Sequence, residues 1–179
     1  LDLAGLERNC DWMAGFPFCS QVIAGGTGEV YSMTPEESIE CVRVSVKAIN
    51  GRMPVVAGVA YNTTMACHMA REMEKAGAEA LLVMPPYYIN APEEGLLQYF
   101  EAIGNSCGLP LSFYTRDWAA FTPALASLLD RSARLRAQAC WCAAATSRPR
   151  ALWPMRVWLR KVRRCMAGPR WVNEWLAAC

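Results

Sequence analysis

The chain is short of the residues on which much hydrolytic and metal chemistry depends: it has one histidine, His68, and only three lysines, Lys47, Lys75 and Lys161. Its nine cysteines are odd in number, scattered and mostly set in apolar runs, so reduced thiols are expected rather than a disulfide framework. Cys140 and Cys142 form a C-x-C with no second pair or histidine near them, which speaks against a zinc site. No apolar run reaches the ~18 residues that suggest a membrane span, and the first residues lack the basic-then-apolar layout of a signal peptide. The expectation is a cytoplasmic protein.

Acidic residues are nearly absent from one end. Residues 1–130 carry 15 Asp and Glu against 7 Lys and Arg, whereas residues 131–179 carry 11 basic residues against Glu174 alone. The two parts therefore sum to −8 and +10, an asymmetry that can signal a basic arm for nucleic acid or membrane. A chain of 179 residues suffices for one ordinary core. The change in composition divides it into 1–131 and a basic tail, 132–179, rich in Arg, Trp and Cys.

Apolar periodicity supplies the order of elements. Leu3, Leu6, Cys10 and Met13 recur at spacings of three and four, one face of a helix over 2–15. A strand follows at 20–24, then a Gly-rich turn. Thr34-Pro35-Glu36-Glu37 starts the next helix: Thr as N-cap, Pro in the first turn where its missing N–H costs nothing, and carboxylates at the positive end of the dipole. "NGR" at 50–52 stops it. "MPVVAGVA" (53–60) reads as a strand buried on both faces, and "TTMACHMAREMEKAG" as a helix from a Thr N-cap to a stop at Gly77. "AEALLVM", "PPYYINAP", "EEGLLQYFEAIGNS", "LPLSFY", "TRDWAAF" and "TPALASLLDR" continue as strand, loop, helix, strand, loop and helix.

Four strands, each followed by a helix at roughly 25 to 30 residues per unit, indicate a parallel α/β fold, either a doubly wound sheet or a (β/α)8 barrel. Both architectures put their sites in the loops after the strands. "GGTGE" is neither a dinucleotide G-x-G-x-x-G nor a Walker loop, which needs a lysine.

The series AGGTGEVYSMTPEE, PVVAGVAYNT, LLVMPPYYINAPEEGL and FYTRD, in that order, resembles the dihydrodipicolinate synthase and N-acetylneuraminate lyase superfamily, most closely its 5-dehydro-4-deoxyglucarate dehydratase branch. The resemblance covers residues 1 to about 130 and implies a (β/α)8 TIM barrel, incomplete in this chain. It implies a class I lyase in the carbohydrate-acid (glucarate) catabolism class, in which a barrel lysine forms a Schiff base with a keto group, with no metal or organic cofactor. The dehydratase branch removes water and carbon dioxide from 5-dehydro-4-deoxyglucarate to give 2,5-dioxopentanoate. A pyruvate-dependent aldolase or synthase is the alternative within the superfamily, and homo-oligomers are usual there.

By resemblance, the turn at 25–29 would offer Thr27 Oγ and backbone N–H groups to a substrate carboxylate, with Gly25, Gly26 and Gly28 letting the main chain come close. The alternative is a tight turn with no ligand. The synthase branch has Thr where Gly26 stands, so Gly26 favours the dehydratase. Tyr114 occupies the place of the proton-relay tyrosine, against a purely packing role. Arg116 would pair with a carboxylate, or with Asp117 at the surface; the usual Tyr-Asn-Arg-Asp has Thr115 in place of Asn here. Tyr88, beside Tyr87 in the loop after a strand, is a substrate-pocket candidate or a loop-packing residue. His68 is read as structural or surface.

The expected lysine lies on an apolar strand roughly 28 residues past the relay tyrosine, and that place falls in "QACWCAAATS", which has none. Lys47 and Lys75 lie on predicted helices, and Lys161 sits in "WLRKVRRC" with no strand before it. No residue is assigned the Schiff-base role, and an inactive chain is expected. From Ser132 the strand–helix alternation is expected to end, as though the reading frame of a GC-rich gene had changed near residue 131. The competing reading makes "RALWPMRVWLRKVRR" a basic amphipathic helix that binds an anionic membrane or nucleic acid, though Pro154 interrupts its pattern.

Overall fold

The computed structural model describes residues 1–86, 91–114 and 139–140. Helix α1 (Leu3–Met13) starts at an Asp2 N-cap, whose side chain accepts a hydrogen bond from the Gly5 amide at 2.8 Å. Strand β1 (Gln21–Ile23) leads through a turn and a 3-10 segment (Val30–Ser32) into α2 (Pro35–Ile49). Strand β2 (Val55–Val59), α3 (Thr63–Lys75), β3 (Ala80–Val83), α4 (Glu93–Ser106), β4 (Leu111–Phe113) and β5 (Ala139–Cys140) follow.

Local chemistry accounts for the helix ends. Thr34 caps α2 as predicted, and Glu37 returns a bond to the Thr34 amide at 2.8 Å, completing a capping box. Asn50 (φ 48°) ends α2 in the left-handed region and Gly77 (φ 95°) follows α3. The predicted Thr cap of α3 is corrected: Asn62 is the N-cap, and its Oδ1 accepts from the Met65 amide at 3.0 Å, leaving Thr63 as the first helical residue.

All five strands run parallel in the order β1-β2-β3-β4-β5. A doubly wound sheet reverses its strand order at a switch point; this one advances by one strand each time, with α2, α3 and α4 packed side by side over it. That is the wall of a (β/α)8 barrel, incomplete in the described residues. Strand β5 also corrects an expectation. A fifth parallel strand lies beyond Ser132, because Ala139 pairs with Leu111 and Cys140 with Ser112.

The two faces of the sheet differ. Ile23, Ala57, Val59, Leu81, Val83, Leu111 and Phe113 join the helix-side core with Val42, Ile49, Met69, Met73, Phe100 and Ile103. The register places Val22, Val56 and Ala80 in one row of the opposite face, and Gly58, Leu82 and Ser112 in the next. Val22, on edge strand β1, is 49% exposed, while its neighbour Ile23 is buried. A buried polar chain ties α1 to this wall: Gln21 Nε2 donates to Cys10 Sγ, Cys10 to Ser45 Oγ, and Ser45 to the Cys41 carbonyl.

Candidate active site at the carboxyl ends of the strands

Beyond β1 the backbone turns sharply. Ala24 (φ 52°) and Glu29 (φ 56°) bracket the glycine turn in the left-handed region, and Tyr61 (φ 77°), after β2, is there too. Non-glycine residues held this way cost on the order of 1–3 kcal/mol each and tend to collect at functional sites. Among the described residues, three of the four such positions lie in loops at the carboxyl ends of strands, the fourth being Asn50.

The turn closes on itself: the Glu29 amide donates to the Gly26 carbonyl at 3.1 Å and the Val30 amide to the Gly25 carbonyl at 3.3 Å. Its glycines have different reasons. A Cβ at Gly28 would lie 3.2 Å from the Gly25 nitrogen, and one at Gly25 3.0 Å from the Val22 side chain, so both positions are tight. At Gly26 the nearest atom to such a Cβ is Met84 Sδ at 3.8 Å. Packing against the described residues therefore does not demand glycine at 26.

Met84 in turn adjoins Tyr114. The ladder continues past β3 and β4, with the Met84 amide donating to the Val59 carbonyl and the Tyr114 amide to the Val83 carbonyl, each at 2.9 Å. Met84 and Tyr114 are thus neighbours, two residues beyond Leu82 and Ser112 and on the same face. Thr27 is exposed on the turn and Tyr114 is half-buried. The structure brings both to the same end of the sheet. Tyr88 and Arg116 lie outside the described residues, as do Thr115, Lys161 and the predicted helix at 122–131. His68 is half-buried on α3.

Lys47 and Lys75 stand in the last turns of α2 and α3, exposed and at the opposite end of the sheet. Lys75 pairs with Glu72 at 2.7 Å. A surface groove lined by Glu7, Arg8, Asp11, Lys47 and Arg52 lies at that far end. There Arg52 bonds Asp11 at 2.6 Å and the last carbonyls of α2, so its charge is already engaged.

Two tyrosines that sequence reasoning did not single out brace the rim. The Tyr61 hydroxyl hydrogen is shared between the carbonyls of Val30 (2.7 Å) and Met33 (2.9 Å). That of Tyr99, on α4, is shared between the carbonyls of Met84 (3.1 Å) and Tyr61 (3.3 Å). Burial pushes both phenols above the ordinary tyrosine range, Tyr99 further, with a smaller contribution from nearby Tyr31. Both remain neutral donors near neutral pH. Tyr61 stands in the quoted PVVAGVAYNT run, directly after a strand, which was the available signal.

A parallel wall wound in one direction, with strained loops gathered at the carboxyl ends of its strands, defines a TIM-barrel site. The chain belongs to the dihydrodipicolinate synthetase family, whose model matches residues 1–124. It is 42% identical over 135 residues to a probable 5-dehydro-4-deoxyglucarate dehydratase of Bradyrhizobium sp. strain BTAi1, covering 75% of this chain and 43% of that protein. It is 47% identical over 98 residues to a second protein of that name from Streptomyces coelicolor, covering 55% of this chain and 31% of the other. The chain thus spans less than half the length of these curated relatives. The solved dihydrodipicolinate synthase of Bacillus anthracis superposes with a TM-score of 0.69 at 27% identity, over 75% of this chain and 47% of that one. A prophage protein of the same family from E. coli K12, solved in complex with pyruvate, superposes with a TM-score of 0.70 at 26% identity, over 75% and 47% of the respective chains. Among the described residues, no helix is long and apolar enough to cross a membrane.

Proposed function

We propose that residues 1–131 form the substrate-gripping part of a 5-dehydro-4-deoxyglucarate dehydratase, a decarboxylating hydro-lyase of glucarate breakdown. The observation that carries this reading is the shared end of the sheet: the exposed Thr27 follows β1 and the half-buried Tyr114 follows β4, both beyond the carboxyl ends of parallel strands. In this reading the Thr27 hydroxyl and the amides of the turn receive one carboxylate of the keto-diacid, as main-chain concavities do for anions. Tyr114 stands over the reacting carbons to pass a proton. Tyr88 and Arg116 complete the pocket, Arg116 toward the second carboxylate.

The grip lacks its amine. Lys47 and Lys75 are at the wrong end, and the stretch around β5, where the resemblance expects lysine, reads QACWCAAATS. The account of this gap is a frame change near residue 131, so that the basic tail is neither a catalytic segment nor a built binding arm. Reading the gene in its other two frames should uncover an apolar run ending in Lys, an acidic residue and Gly. The pyruvate-specific alternative has the family's synthases and the pyruvate-bound E. coli protein behind it; glycine at 26 favours the larger diacid.

The test joins two assays of the full chain. Calorimetry should show saturable binding of 5-dehydro-4-deoxyglucarate, weakened about tenfold by Thr27→Val. Borohydride with the same compound should leave the intact mass unchanged. A reduced adduct on any lysine, or no binding by the wild-type chain, would overturn the reading.

A further inference from the structure

Tyr61, two residues past the end of β2, holds a left-handed conformation that a large side chain rarely adopts. From there its hydroxyl bonds the Val30 and Met33 carbonyls, 31 and 28 residues earlier in the chain. Val30 is engaged from two sides, since its carbonyl accepts from Tyr61 and its amide donates to the Gly25 carbonyl at 3.3 Å. A single residue thus links the phenol to the glycine turn. Tyr99 acts from the other side, its hydroxyl shared between the carbonyls of Tyr61 and of Met84, the residue beneath Gly26. The ring of Tyr31, in the same 3-10 segment, meets Tyr61 edge-on at 5.5 Å.

Packing alone would need the rings and not the hydroxyls. Both hydroxyls instead go to main-chain carbonyls of rim loops, where a neutral donor is the group required. We propose that Tyr61, braced by Tyr99, is a positioning residue that sets the shape of the 25–29 turn and so its affinity for a substrate carboxylate. This inference rests on the dehydratase reading of that turn. Tyr61 touches no substrate and acts through Val30, so its loss changes where the turn sits rather than what the turn offers. A preorganised turn binds more tightly because less order is lost on binding.

The experiment compares the full wild-type chain with Tyr61→Phe and Tyr99→Phe, which keep the rings and remove the hydroxyls. A core control, Met69→Leu, alters stability away from the rim. Calorimetry with 5-dehydro-4-deoxyglucarate should show affinity reduced about tenfold in Tyr61→Phe and less in Tyr99→Phe, and unchanged in the control. Hydrogen exchange at the Glu29 and Val30 amides should quicken in the same order. If Tyr61→Phe does not fold, Tyr99→Phe carries both readouts. Wild-type affinity and wild-type exchange in the tyrosine variants would overturn the inference while leaving the dehydratase reading intact. Absence of wild-type binding would remove the reading and the inference together.

Discussion

The carbonyl of Ala24 rests on the α-carbon of Gly58: a Cβ at position 58 would come 1.9 Å from that oxygen and 2.9 Å from the Gly25 nitrogen. The end of β1 is folded down onto β2, and only a hydrogen on residue 58 leaves room for it.

Gly58→Ala should therefore push the 24–29 turn off the sheet. Overpacking of this kind costs about 1–3 kcal/mol, but binding should suffer more than stability because the displaced segment is the proposed grip. Urea unfolding and calorimetry on one preparation would separate the two effects. Unchanged affinity in a folded variant would show that the turn does not hold the ligand.

Tyr61 and Tyr99 predict a specific alkaline weakness. Their pKa values are raised in the fold by burial, so folding favours the neutral phenols. Their contribution is fully present below the unfolded tyrosine pKa of about 10 and is lost as pH rises from there through the higher folded values. Urea midpoints should fall across that window, and Tyr99→Phe should flatten the fall. An equal slope in the variant would contradict the assignment.

Two substitutions calibrate the helices. Phe100 on α4 meets Phe113 on β4 edge-on with ring centroids 4.5 Å apart, and both are buried. Phe100→Ala should lose about 3–5 kcal/mol, whereas Thr34→Ala, which removes one half of the capping box, should lose about 1 kcal/mol. Denaturant unfolding measures both, and a reversed order would show that α4 does not pack as described.

The described thiols should also sort by access. Cys19 is exposed, Cys10 is buried and bonded to Ser45, and burial raises the pKa of Cys41. Brief maleimide treatment followed by peptide mapping should label Cys19 well before Cys41 or Cys10, because the thiolate is the reactive form. Early labelling of Cys10 would mean that α1 detaches readily from α2.

The parts of the fold that local chemistry controls were legible in the sequence. Thr34-Pro35-Glu36-Glu37 announces a helix start through side chains that satisfy nearby backbone groups, and Val55–Val59 announces a buried strand through its apolar run. The cap of α3 was misplaced by one residue because Asn62 and Thr63 are both able caps, and the choice depends on which oxygen reaches the Met65 amide. Strand β5 escaped notice because two residues carry no period. Ala139 and Cys140 become a strand by pairing with Leu111 and Ser112.

At the candidate site, Thr27 and Tyr114 could be found because each follows a strand within a recognisable run. Tyr61 follows a strand in such a run too, but what it and Tyr99 do could not be read there, because their hydroxyl partners are set by tertiary approach: Val30 and Met33 for one, Met84 and Tyr61 for the other. No local pattern encodes such pairs. Gly25 and Gly28 are tightly packed within the protein, whereas a Cβ at Gly26 would meet only Met84 among the described residues.

Amide-shift mapping of the isotopically labelled full chain during titration with 5-dehydro-4-deoxyglucarate tests the central claim most directly. The account predicts that the largest changes fall on Gly25–Glu29, Met84 and Tyr114, at the carboxyl ends of β1, β3 and β4. Changes confined to Glu7, Arg8, Lys47 and Arg52, in the groove at the opposite end, would contradict it.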